Sequence, residues 1–264
     1  MTGGQIKMKL NNFRILTLAA ALVCSLPAWA QFPGGRGGPQ GPPKATAPID
    51  VTGYWVSLIT EDWRFRMFTA PKGDFQGVPL NQAGTKEGNT WDPVKDTDNN
   101  CKAYGAAGLM RMVSRFHITW ENDNTLKVES DAGSQTRLLH FGGTVPANTP
   151  ASLQGYSIAT WERQLGRSRG GQGQPGAGDS RGGDLKIVTT NLLPGYLRTN
   201  GAPYSDKTTV TEYWDVLKDD DGTTYLLVKT LVNDPTYLQQ DMITSTHMRK
   251  QADPTGWNPT TCVK

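Results

Sequence analysis

The chain has 264 residues, of which 36% are hydrophobic and 9% aromatic, and it carries 30 Gly and 17 Pro. That much Gly and Pro disfavours a helical bundle, while the apolar content is low for a membrane protein and ample for one packed domain. Its 27 basic side chains exceed its 24 acidic ones by three, and Lys7, Lys9 and Arg14 account for that excess. Beyond them, no basic stripe able to neutralise phosphates occurs outside two low-complexity segments, so no nucleic-acid partner is expected.

Lys7 to Arg14 supply a positive start, Ile15 to Leu26 an apolar run, and Ala28-Trp29-Ala30 a small-x-small cleavage site. Residues 1–30 therefore read as a signal peptide that exports a bacterial protein to the periplasm or beyond. The apolar run is far short of the roughly 20 residues of a membrane-spanning helix, so no transmembrane segment is expected. Cys24 follows Val23, where a lipobox wants Gly, Ala or Ser, and Met8 is an alternative start. Residues 31–50 form a Pro/Gly-rich leader with too few apolar groups to offset its ordering entropy, and it is expected to be disordered.

From residue 51 onward, short alternating runs bounded by turn residues predict strands at 53–60, 62–68, 115–120, 125–131 and 135–141, then at 155–161, 184–191, 208–217, 223–232 and 242–250. Asn and Asp clusters at 121–124 and 219–222 supply tight turns. One short helix, at 100–112, is the most the pattern allows. A low-complexity stretch at 163–183 reads as a loop insert between two strands. These features predict a single all-β domain over residues 51–264, closed as an antiparallel meander barrel, with a β-sandwich as the alternative.

Once a signal peptide is removed, Cys101 and Cys262 remain as an even pair in an oxidising compartment, which predicts a disulfide. The alternative, a Cys/His metal site, would need a clustering of ligands that the spacing lacks.

Gly53-Tyr54-Trp55 opens the first strand as the G-x-W of lipocalins does, and Thr211-Glu212-Tyr213 resembles their T-D-Y motif with Glu for Asp. A broader likeness runs through Trp91-Asp92-Pro93, Cys101, Thr136-Arg137-Leu138-Leu139, Gly155-Tyr156-Ser157-Ile158-Ala159-Thr160-Trp161-Glu162, Leu185-Lys186-Ile187-Val188-Thr189-Thr190, Pro203-Tyr204-Ser205-Asp206, Val210-Thr211-Glu212-Tyr213 and Asp234-Pro235. That order resembles a large group of exported bacterial proteins of unknown function, over residues 91–250. The group usually closes its W-E-G-D hairpin tightly, and here the insert interrupts it. The resemblance implies a lipocalin-like barrel and carries over no catalytic residue.

Candidate site residues follow from strand parity. Glu212 shares its face with Val210 and Trp214, and a carboxylate on an apolar face must find a partner. Arg137, His117 and His247 are the candidates, and together the four would make a polar, ligand-binding pocket inside the barrel; the alternative places the histidines in solvent. Arg64 and Arg66 either make solvated cross-strand pairs or grip a carboxylate or sulfate. No H-x-H or H-E-x-x-H spacing supports a metal site, and the absence of nucleotide and redox motifs leaves no cofactor expected. The main functional expectation is an exported protein binding a small apolar or amphipathic molecule in a barrel cavity. The alternative is a cofactor-free isomerase, lyase or hydratase using a His/Glu acid–base pair there.

Overall fold

The structure, a computed structural model, describes residues 41–94, 101–162 and 185–262. The signal peptide read at 1–30, the first half of the leader and the loop insert at 163–183 lie outside the described residues.

Nine strands close a barrel, and two more form a small separate ladder. In chain order they are β1 (Gly53–Leu58), β2 (Arg115–Asn122), β3 (Thr125–Ser130), β4 (Gln135–Phe141), β5 (Tyr156–Trp161), β6 (Leu185–Thr190), β7 (Gly195–Tyr196), β8 (Pro203–Tyr204), β9 (Thr209–Lys218), β10 (Thr224–Asn233) and β11 (Met242–Gln251). Around the barrel the order is β1-β11-β10-β9-β6-β5-β4-β3-β2, and β1 closes it by pairing with both β11 and β2. The sequence predicts each of these nine strands because polar and apolar residues alternate with the period of the pleat. Trp55, Phe116, Ile118, Leu126, Val128, Leu139, Trp214, Leu226, Val228 and Met248 form the buried interior. The turns follow local chemistry: Asn122 Oδ1 accepts from Asn124 N–H at 2.9 Å, and Asp221 Oδ1 accepts from Thr223 N–H at 2.7 Å beside Gly222 at φ 87°.

Three expectations need correction. The barrel is not a pure antiparallel meander: β4 and β5 run parallel, with Leu139 opposite Ser157 and Phe141 opposite Ala159. Residues 142–155 carry the chain back between them, as a parallel pair requires. Residues 62–68 are not a strand but a helical turn, α1 (Trp63–Met67). Asp62 takes left-handed dihedrals, its carbonyl accepts from Phe65 and Arg66 N–H, and Arg66 turns inward to donate to the carbonyls of Arg111 and Leu58. Those bonds override the alternating pattern. The expected helix at 100–112 is a 3₁₀ turn (Lys102–Tyr104) and a short helix, here named α3 (Ala106–Leu109), split by Gly105 in extended geometry. Between them and α1 lies α2 (Gln82–Gly88), which composition concealed; its start is capped by Asn81, whose side chain accepts from Gly84 N–H.

Both barrel ends are covered. At one, Trp120, Phe141 and Trp161 form an aromatic cluster with ring centroids 4.9–6.4 Å apart. The described half of the leader lies against it rather than free: Trp161 Nε1 donates to Pro43 O at 2.9 Å, Lys44 N–H donates to Asp123 O at 3.1 Å, and Ile49 packs on the core. At the other end, α3 and the segment 192–208 add a second cluster, with Leu192, Leu197, Ala202, Tyr204, Val210 and Val232 at its centre. Asp234 ties that end together by accepting from Ser205 N–H, Ser205 Oγ and Thr236 N–H.

Cys101 and Cys262 form a disulfide with Cα atoms 5.2 Å apart, 161 residues apart in sequence. It fastens the C-terminal segment to the turn before α3, beside Tyr104 and Gln135. Closing so long a loop removes unfolded-state entropy worth about 4–5 kcal/mol. Replacing both cysteines by Ala should lower unfolding stability in urea by that order, and an unchanged midpoint would contradict a stabilising bond.

Candidate functional site

Inside the barrel, four strands adjacent in the sheet each contribute one polar side chain: Arg137 from β4, Ser157 from β5, Thr189 from β6 and Glu212 from β9. Arg137 is 1% exposed and Glu212 is 0% exposed. Arg137 Nε donates to Ser157 Oγ at 3.1 Å, Nη2 donates to Thr189 Oγ1 at 2.7 Å, and Nη2 also donates to Glu212 Oε2. The two hydroxyls lie 2.8 Å apart. Two charges taken out of water are tolerable only with this kind of mutual pairing and hydrogen bonding.

The network is not saturated. Arg137 Nη1, Glu212 Oε1 and Trp214 Nε1 are all buried and bond to no other group in the described structure. Trp214 follows Glu212 by two residues on the same face of β9, and the interior there also holds Thr230, the register partner of Glu212, and Thr246. Each buried polar atom left without a partner costs about 1–3 kcal/mol.

Of the four residues expected to meet inside the barrel, Arg137 and Glu212 do so, and His117 and His247 do not. Both imidazoles stand on the outer wall, because β2 turns Phe116 and Ile118 inward and β11 turns Thr246 and Met248 inward, leaving the odd-numbered positions outside. Placing them inside rested on the polar faces of those two strands pointing inward. His117 instead stacks on Tyr54 at 4.1 Å and lies 3.4 Å from Glu129, with Trp257 at its edge. His247 Nδ1 sits 2.9 Å from Thr60 Oγ1 and 3.5 Å from Glu61. His140 also faces outward, stacked on Tyr156 at 4.5 Å, and burial holds its imidazole below the usual range.

Sequence reasoning missed Ser157 and Thr189 as parts of the interior site, and placed Trp214 on the Glu212 face without giving it a polar role. The parity of β5, β6 and β9 places all three on the inward faces, but small hydroxyls within apolar runs give no chemical signal on their own.

A second charged cluster fastens the far end of the barrel. Arg111 Nη2 donates to Asp62 Oδ2 at 2.8 Å, Arg198 Nη2 lies 3.7 Å from the same oxygen, and Arg66 pairs with Glu61. The Arg198 guanidinium lies 4.0 Å over the Phe65 ring and donates to Gln76 O. Burial, reinforced by repulsion from Arg111, pushes Arg198 down to about 10. Burial alone would raise the Asp62 carboxyl, but the Arg111 hydrogen bond and the charges of Arg111, Arg198 and Arg66 outweigh it and hold Asp62 below its usual range. Arg64, by contrast, pairs at the surface with Asp74.

Among the described residues, no helix is long and apolar enough to cross a membrane.

Two outcomes test this electrostatic reading. Glu212→Ala leaves the Arg137 charge buried without its counter-charge and should destabilise by about 3–5 kcal/mol, whereas Arg137→Met with Glu212→Leu should recover most of the loss. Equal stability of wild type and Glu212→Ala in urea would contradict a buried pair. Because the folded Asp62 carboxyl is depressed, its contribution is complete above the ordinary value near 3.8 and fades as pH falls through the folded value. Asp62→Asn should therefore flatten the acid limb of the stability profile below about pH 4, and an acid limb identical to wild type would show that the arginines do not act through Asp62.

Comparison of the chain with protein-family models, curated proteins and solved structures finds no match.

Proposed function

We propose that this chain is an exported, lipocalin-like bacterial protein that binds a small amphipathic molecule inside its barrel. The observation that carries the reading is the trio of unpartnered polar atoms, Arg137 Nη1, Glu212 Oε1 and Trp214 Nε1, inside a barrel whose core is built mainly of apolar side chains. A ligand with one polar end and an apolar body supplies what those atoms lack while keeping the remaining surface dry. Small-molecule sites in barrels commonly take this form, with a few placed polar groups fixing orientation and apolar contact supplying affinity.

The two ends differ in how firmly they are held. The far end is fastened by the disulfide, the Asp62 cluster and the Asp234 hydrogen bonds. The aromatic end is covered by residues 41–49 through backbone contacts, the Trp161 indole and a 3.9 Å ion pair between Lys44 and Asp123. Access through the aromatic end requires displacing the weaker of the two closures.

Export rests on the charge, apolar run and cleavage pattern of residues 1–30, and the disulfide accords with an oxidising periplasmic or extracellular space. The acid–base alternative needs a histidine beside Glu212, and His117, His140 and His247 all stand on the outer wall, so carriage is the reading the geometry supports.

Expression of the full chain in a bacterium, followed by native mass spectrometry of the periplasmic fraction, tests both parts. The expected species begins at Gln31 and retains a small molecule that Trp214→Phe loses. A chain that stays cytoplasmic with residues 1–30 attached would contradict export. A periplasmic chain that carries nothing, and gains no thermal stability from amphiphiles, would contradict carriage.

A further inference from the structure

The charge balance of the interior says what kind of polar end the site takes. This step rests on the proposal that the barrel interior is a ligand site. Arg137 and Glu212 already neutralise one another through Nη2 and Oε2. The other buried charged side chains are committed elsewhere: Arg66 at Glu61, Arg111 and Arg198 at Asp62, Asp131 to Ser114 Oγ and Arg115 N–H, and Asp234 to Ser205. No described charge remains inside the barrel to balance that of a ligand.

What remains is polar without being charged in sum. Arg137 Nη1 and Trp214 Nε1 offer N–H donors, and Glu212 Oε1 offers an acceptor. Nη1 shares a guanidinium with the bonded Nη2, and Oε1 shares a carboxylate with the bonded Oε2, so donor and acceptor lie on the two sides of one ion pair. A ligand carboxylate would satisfy the donors but face the Glu212 carboxylate in a low-dielectric interior. A ligand ammonium would satisfy Oε1 but face the Arg137 guanidinium and leave both N–H groups without acceptors. Either adds an uncompensated buried charge, which is far costlier than a missing hydrogen bond.

We infer that the barrel interior selects ligands whose head group is uncharged and both accepts and donates hydrogen bonds, a carboxamide being the simplest, over acids and amines with the same apolar body. The carbonyl oxygen of a carboxamide accepts from Arg137 and Trp214, and its N–H donates to Glu212. The apolar body then lies against side chains such as Phe116, Leu139 and Met248. Such a site discriminates strongly, because an ill-matched head group leaves buried polar atoms unpaired.

Titration calorimetry of the full chain with octanamide, octanoate and octylamine tests this, since the three share one apolar body and differ in head-group charge. Octanamide should bind at least about tenfold more tightly than either charged analogue. Trp214→Phe, which removes one donor and keeps an apolar ring, should weaken octanamide by about tenfold. Glu212→Gln removes the negative charge and leaves Arg137 unbalanced, so it should reverse the preference toward octanoate; if that variant does not fold, the wild-type ratio and Trp214→Phe decide the matter. Octanoate or octylamine binding wild type as tightly as octanamide would overturn the head-group inference and leave carriage standing. Binding of none of the three would overturn carriage itself, and the head-group inference with it.

Discussion

An arginine and a glutamate paired in the dry interior of a β-barrel impose the constraint on which the rest of this structure depends. Taking both charges out of water is costly, and the cost is contained only while Arg137 stays within reach of Glu212, Ser157 and Thr189. Those four residues sit on β4, β5, β6 and β9, consecutive strands of the barrel. A slip of one residue in any of them would turn a member of the network to the outer wall and strand the others. The network thus opposes register errors where the chain gives least guidance: across the parallel β4–β5 pair, and between β5 and β6, which residues 162–184 separate in sequence.

The two charged clusters of the molecule work differently. The interior pair is balanced one against one and fully enclosed. The cluster at the far end sets Arg66, Arg111 and Arg198 around the partly exposed Asp62 and Glu61, so solvent shares in its stabilisation. That cluster anchors α1, a helix of five residues with none of them buried, which has little packing of its own to hold it. Asp62 adopts left-handed dihedrals at its start, a conformation Asp tolerates better than most residues. Its backbone carbonyl starts the turn, while its carboxylate is left to gather the arginines.

Much of the barrel was legible because a strand half-buried in a barrel must alternate, as β6 does along its whole length and β10 over most of its own, although β9 buries Glu212, Tyr213 and Trp214 in succession. The disulfide was legible from an even count of cysteines once residues 1–30 are read as an export signal. Glu212 was legible as interior because Val210 and Trp214 flank it on one face, and Arg137 because so few partners were available to it. The histidines were misplaced for an equally physical reason: parity says which residues share a face, not which face turns inward, and on β2 and β11 the apolar face won. Residues 62–68 alternate as a strand does, yet hydrogen bonds from Arg66 to backbone carbonyls distant in sequence decide their shape, and nothing local announces them. The parallel pairing of β4 and β5 was hidden likewise, since a crossover of residues 142–155 leaves the strand pattern unchanged.

The most direct test of the interior site is the indole N–H resonance of Trp214, assigned by its loss in Trp214→Phe and followed as octanamide is added. This resonance should move on binding, while that of the outward-facing Trp63 stays in place. A Trp214 resonance that holds still while the ligand binds, or a response confined to surface indoles, would contradict a ligand site at Arg137, Glu212 and Trp214.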